Sequence, residues 1–288
     1  MKHSTHQPLT VLGSINLDLI ATTERLPVAG ETIGGGTLSR QPGGKGANQA
    51  AAAARLAGSA RMIGAVGNDD SGRLLLEALA AAGVDVIDVA RRDTETGTAL
   101  IVVDREGENQ IAVCPGANSE VVLDGVDFAG DEILLCQLEV GLDIVLEAAG
   151  RHAGYFALNA APAQPLPLEL IQRCDLVIVN ETEYALMPEL ADARLVAVTY
   201  GKDGAALYER GNLVARAPGR RANVVNTIGA GDAFCAAVVL ALRDGLPYEQ
   251  ALAVANAVGA DAVGQQSSQP ELAPLMSYIE TVGPALPA

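Results

Sequence analysis

The chain has 288 residues, 49% of them hydrophobic and 19% charged. That composition suits one large α/β domain with a sizeable core and sets aside a disordered chain. Lys plus Arg number 19 against 35 Asp plus Glu, a net charge of −16, which argues against nucleic acid or an anionic membrane as partner.

The opening stretch "MKHSTHQPLT" has no signal-peptide core, and no apolar run in the chain approaches membrane-spanning length. Four cysteines, Cys114, Cys136, Cys174 and Cys235, show no CxxC spacing, so reduced thiols in a cytoplasmic protein are expected. Of three histidines two fall in that opening stretch, leaving His152, too few for a His-based triad or zinc site.

Periodicity then alternates between short apolar strands and longer apolar helices. "LTVLGSINLDLI" reads as a strand and "GANQAAAAARLAG" as an Ala-rich helix ending at Gly58. "RMIGAVG" reads as a strand, "SGRLLLEALAAAG" as a helix. Further on come "EILLCQLE" (strand), "LDIVLEAAGRH" (helix), and the strands "YFALNAAP", "DLVIVN" and "RLVAVTYG". "RANVV" reads as a strand before "NTIGAGD" and "AFCAAVVLALRDG" as a buried helix after it. This alternation predicts a doubly wound α/β domain, a mostly parallel sheet covered by helices. Two stretches, about 20–42 and 95–114, are rich in Thr, Val, Ile and Gly. The second reads as a hairpin turning at "DREGEN", and both as pieces of a small antiparallel sheet inserted in the body.

Several stretches carry chemistry. In "GAGD", Gly229, Ala230 and Gly231 free the backbone N–H groups of a helix N-terminus to meet an anion. A carboxylate in that turn would repel the anion, so Asp232 reads as a general base beside the hole, or as an ordinary first-turn acid. Asn16 and Asp18 alternate on a strand and share a face, suiting vicinal hydroxyls or else a strand-end turn. "PGGKGANQA" sets Gly44, Lys45 and Asn48 at a loop-to-helix junction. "NETE" ends a buried strand, where ligands of open α/β sheets bind. Its oxygens suit Mg²⁺ through water, and Asn180 with Glu183 also forms a capping box; both can hold together. "TYGKDGA" is a tight turn, and Glu139 ends another strand.

"GSINLD", "GGKGANQA", "GTALIVVD", "GENQIAV", "PGAN", "QLE", "LNAAPA", "NETE", "TYGKDGA" and "GAGD" occur in the order, and near the spacing, of the ribokinase (PfkB-type) sugar kinases. The chain resembles that family from about residue 10 to 270. The resemblance implies a small β-sheet lid, a homodimer through it, and ATP- and Mg²⁺-dependent phosphorylation of a primary hydroxyl. A pentose, ribose first, is the expected acceptor; alternatives are a nucleoside kinase and a catalytically silent sensor. Carried over by motif, Asp232 is the base and Gly229, Ala230 and Gly231 the anion hole. Asn16, Asp18, Gly44, Lys45, Asn48 and Glu139 meet the sugar, with Ala99 and Ile101 as apolar lid contacts. Asn180, Thr199, Gly201 and Asn256 lie near the nucleotide, and Glu183 near Mg²⁺. The chain departs from the pattern at Asn226, where the family has an Asp that holds a monovalent cation such as K⁺. It departs also at Ser267 and Glu271, and in the ten residues between Tyr184 and Leu195, where relatives carry another helix.

Overall fold

The computed structural model describes residues 9–283; His3 and His6 lie outside the described residues. In chain order the elements are β1 (Leu9–Leu12), β2 (Asn16–Thr22), β3 (Thr37–Gly43), α1 (Lys45–Ala57), β4 (Ala60–Gly67), α2 (Asp70–Ala81) and β5 (Val84–Arg92). There follow β6 (Gly97–Val103), β7 (Asn109–Cys114), β8 (Ile133–Gln137), α3 (Leu142–Arg151), β9 (Tyr155–Asn159), α4 (Leu168–Arg173), β10 (Leu176–Asn180) and α5 (Glu181–Leu186). The rest are β11 (Val196–Thr199), β12 (Ala205–Glu209), β13 (Asn212–Ala217), α6 (Ala230–Arg243), α7 (Tyr248–Ala262) and α8 (Leu275–Val282).

Nine strands form one sheet in the order β13-β12-β11-β10-β9-β8-β1-β4-β5. It is parallel from β11 through β5 and antiparallel at β12 and β13. Its central strands are buried end to end, as in "LTVL" and "ILLCQ", because helices cover both faces. Leu9, Val11 and Leu135 face the layer of α1, α6 and α7. Leu12, Leu134 and Phe156 face the layer of α3 and α4. The alanine run of α1 is buried throughout, and the helix stops at Gly58, φ 89°, whose N–H returns to Ala54 O at 2.7 Å.

The small sheet has the order β3-β2-β6-β7. Both outer pairs are antiparallel, while β2 and β6 run parallel. Asp104 organises the predicted hairpin turn, its Oδ1 accepting the N–H groups of Glu106 and Glu108. Ile20, Ala99 and Ile101 form a core of their own on the inner face.

The structure differs from the sequence reading at particular points. "LTVLGSINLDLI" is two strands in two sheets: the ladder bond from Gly13 N–H to Ile63 O is the last in the large sheet, and the chain then enters the small one at Asn16. A side chain at residue 13 would come within 1.8 Å of Gln137 Oε1, so the glycine permits the crossing. "RANVV" is not a strand. β13 has ended at Ala217, and the N–H groups of Val225 and Asn226 both turn to Val263 O instead of a neighbouring strand. β5 escapes the reading because an edge strand buries only part of its residues. Between Tyr184 and Leu195 the chain completes α5 and adds a 3₁₀ turn, Pro188–Asp192; Met187 before it and Leu190 within it are buried in the layer of α3 and α4.

Candidate active site

A cleft of about 330 Å³ opens where the small sheet overhangs the carboxyl ends of β9, β10 and β11. Asn16, Asp18, Ala99 and Ile101 come to it from the small sheet, Gly44, Lys45 and Asn48 from the start of α1, and Glu139 from beyond β8. Asn180 and Thr199 line it from the strand ends, Glu183 from the first turn of α5, and Gly229, Gly231 and Asp232 from the start of α6.

Ala230, Gly201, Asn226 and Asn256 do not line the cleft. Ala230 turns its N–H back to Thr227 O at 3.4 Å. Gly201 sits in the 3₁₀ turn joining β11 to β12. Asn256 donates to the carbonyls of Ala217 and Pro218, tying α7 to the end of β13. Asn226 Nδ2 donates to Gln266 O at 2.8 Å while its Oδ1 accepts Ile228 N–H. The neighbouring acid Glu271 is held by Arg55 at 3.0 Å.

Sequence reasoning missed Asn159, Ile111, Val113, Thr227, Ile228 and Cys235, all of which line the cleft. Asn159 was readable as a polar residue ending a buried strand, the signal that picked out Asn180. Val113 and Ile111 stand opposite Ala99 and Ile101 across the hairpin, so pairing would have found them.

The first turn of α6 is open. Its N-cap is Gly229, φ 82°, and no side chain caps it. A Cβ at residue 229 would lie 2.0 Å from Ser268 O, so only glycine fits. Asp232 Oδ2 accepts Asn48 Nδ2 at 3.1 Å and its Oδ1 accepts Gln49 Nε2 at 2.9 Å. Burial pushes the Asp232 carboxyl above the usual range, opposed by the Lys45 ammonium and the two amides. Burial disfavours the Lys45 ammonium, but Asp232, Glu139 and Glu183 outweigh this and raise its pKa.

Asp18 is buried on the underside of β2. Burial first, then the charges of Glu139 and Asp232, push its pKa up to about 7. Asn16 Oδ1 accepts Asn118 Nδ2 at 2.7 Å, and Asn118 is itself fixed by both backbone groups of Ile15. Asn16 therefore keeps its amide N–H₂ for the cleft, beside a carboxylate: a donor and an acceptor on one face. Glu139 accepts the Ser14 hydroxyl and, at 3.4 Å, Lys45 N–H. Asn180 and Glu183 form the reciprocal capping box, each side chain accepting the other's backbone N–H at 2.8 Å. Among the described residues no three His, Cys, Asp or Glu side chains group to hold a metal ion.

The profile of the pfkB family carbohydrate kinases matches residues 7–274. The chain belongs to that family. A pfkB-family carbohydrate kinase is a phosphotransferase with an alcohol group as acceptor. The kinase is 36% identical over 285 residues to the ribokinase of Bacillus subtilis, spanning 91% of this chain and 96% of that protein. Among solved structures it superposes on the ribokinase of Thermotoga maritima with a TM-score of 0.84 at 29% identity, covering 95% of this chain and 98% of that one. On an Arabidopsis thaliana ribokinase complexed with ribose and ATP the TM-score is 0.82 at 29% identity, covering 96% and 99%. No helix among the described residues is long and apolar enough to cross a membrane.

Proposed function

We propose that this kinase transfers the γ-phosphoryl group of ATP to the primary hydroxyl of a pentose, with ribose as the preferred acceptor. One observation carries the reading. Asp232 stands at the uncapped, glycine-started end of α6 and shares a cleft with the donor–acceptor pair of Asn16 and Asp18. The sugar's vicinal hydroxyls lie against Asn16 and Asp18, with Glu139 and Lys45 at its flank and Ala99, Ile101, Ile111 and Val113 over its apolar face. Its primary hydroxyl points at Asp232. The hydroxyl oxygen attacks the γ-phosphorus, the bond to the β–γ bridging oxygen breaks, ADP departs, and the hydroxyl proton passes to Asp232. The free N–H groups of the first turn of α6 and the Lys45 ammonium receive the charge on the phosphoryl oxygens. The small sheet acts as a lid, keeping out water that would hydrolyse ATP.

Mg²⁺ suits the donors present. Glu183 spends one carboxylate oxygen in the capping box and keeps the other, so it and Asn180 would hold the ion through water. The ion, when bound, neutralises the phosphate oxygens. Asn226 offers a monovalent cation an uncharged oxygen that already accepts an N–H, a weak ligand for K⁺.

The outer face of the lid supports a homodimer formed through it. Leu38 and Leu100 are 62% and 46% exposed there, opposite Ala21 and Leu19 of β2. Leu100→Glu shifting the sedimentation of a dimer to that of a monomer supports this, and a monomeric parent enzyme refutes it. The test of the whole reading is ADP production on ribose, 2-deoxyribose, fructose and adenosine. Ribose is expected to give the highest kcat/KM. Preference for adenosine, or sugar binding without ADP release, overturns it.

A further inference from the structure

Behind Asp232 a chain of side-chain amides with a fixed hydrogen-bond polarity leads from the cleft wall into the core. It starts at the backbone carbonyl of Ile178 in β10, a group that can only accept. Asn159 Nδ2 donates to that carbonyl at 3.1 Å, so Asn159 Oδ1 faces the other way, toward Gln49. Gln49 must answer with its Nε2, which donates at 3.0 Å to Asn159 and at 2.9 Å to Asp232 Oδ1. Its remaining atom, Oε1, accepts Gln137 Nε2 at 2.5 Å. Gln49 and Gln137 are fully buried, and neither lines the cleft. Gln137 is wedged against Gly13, where a Cβ would meet its Oε1 at 1.8 Å. A turned Gln137 amide would set two oxygens against each other.

A second arm has the same form. Gln269 Nε2 donates to Asn48 Oδ1 at 3.3 Å, and Asn48 Nδ2 donates to Asp232 Oδ2 at 3.1 Å. Each carboxylate oxygen thus receives an amide N–H whose orientation is set by another amide farther back.

We infer that Gln49, oriented by Asn159 and Gln137, is a positioning residue that holds the proposed base in its proton-accepting form. Burial and the Glu139 carboxylate push Asp232 toward keeping its proton. Lys45 on α1 and the two amides oppose them, while Asp18 on β2, Cys235 on α6 and Glu183 on α5 complete the titratable surroundings. A neutral Asp232 cannot take the hydroxyl proton. A donor forced to face the carboxylate favours the charged form.

The inference rests on Asp232 being the base, and the experiment separates the two. It reads kcat with saturating sugar and ATP between pH 5 and 9, where sugar-affinity effects cancel. Gln49→Met keeps the length and removes the donor; its acid limb should move up by about one unit, since a charged hydrogen bond is worth roughly that much. Gln49→Glu sets a carboxyl there, and its limb should move further. Gln137→Met releases Gln49 and should give a smaller shift in the same direction. Sugar KM should change by less than about threefold, as neither residue touches the cleft. Melting curves identify any variant that fails to fold, and the remaining variants then decide. If Asp232→Asn abolishes turnover but the glutamine variants lower kcat evenly at every pH, the positioning role is overturned and the base stands. If Asp232→Asn keeps its kcat, the base itself falls.

Discussion

Asp18 should make both the stability of the free enzyme and its grip on sugar depend on pH, in opposite directions. Its pKa rises from 3.8 to about 7 in the folded chain, through burial and then through Glu139 and Asp232. The folded state therefore holds this proton more tightly than the unfolded state does. Between about pH 4 and pH 7 the unfolded chain loses the proton first, so stability is full below pH 4 and falls as pH rises. The shift corresponds to about 4 kcal/mol at 1.36 kcal/mol per unit. Relaxation of the site around the ionised carboxylate reduces this, so about 2–4 kcal/mol is expected. Asp18→Asn has no proton to lose. Calorimetric unfolding of the ligand-free enzyme and the variant at pH 4.5 and pH 8 should show the variant gaining about 5–10 °C relative to the parent at the higher pH. Sugar affinity should run the other way, because the ionised carboxylate is the better acceptor. With a pKa near 7, parent-enzyme affinity should tighten roughly tenfold from pH 6 to pH 8. In Asp18→Asn it should be flat and roughly ten- to hundredfold weaker, the worth of a charged hydrogen bond. Parallel stability curves for the two proteins, together with a pH-independent parent affinity, would refute the reasoning.

Asp232→Asn preserves shape and both amide contacts in part but removes the proton acceptor; kcat should fall about 10²–10⁴-fold with sugar affinity changed far less, and retention of more than roughly a tenth of kcat counts against it. Gly229→Ala forces a Cβ to within 2.0 Å of Ser268 O at φ 82°; kcat should drop by more than about tenfold and the melting temperature by several degrees, and an unchanged enzyme would show that this turn is not rigid. K⁺ should stimulate the enzyme about threefold or less compared with tetramethylammonium at equal ionic strength, because Asn226 brings no charge to the ion and Glu271 is paired with Arg55. Asn226→Asp should raise the stimulation, and tenfold activation of the parent would mean that other oxygens suffice.

The strands and helices that bury whole faces were legible, because apolar runs such as "LVIV" and the alanines of α1 have no other use. The cleft was legible where glycine clusters met a charge, at Gly44–Lys45 and Gly229–Asp232. It was not legible where side chains contribute only through position: Ile111 and Val113 look like any strand residues until β7 is paired with β6. Asn226 and Asn256 show the converse. Their motif places were identifiable, yet in the fold their amides are spent on backbone carbonyls. Gln49 and Gln137 carried no signal, since a buried glutamine is visible only once its partners are known.

The order of the large sheet has a consequence for how the chain is made. β1 lies between β4 and β8, with Leu9 opposite both Ala60 and Ile133. β1 thus waits for residues more than a hundred positions later before its second side is covered, and such distant pairings close slowly. Asn16 and Asp18 are synthesised long before Asp232, and α6 packs against α1 although it starts at Ala230 and α1 at Lys45. A nascent or truncated enzyme that lacks α6 therefore exposes the apolar side of β1 and α1, where chaperones bind and aggregation begins, and assembles its cleft only once α6 has been made.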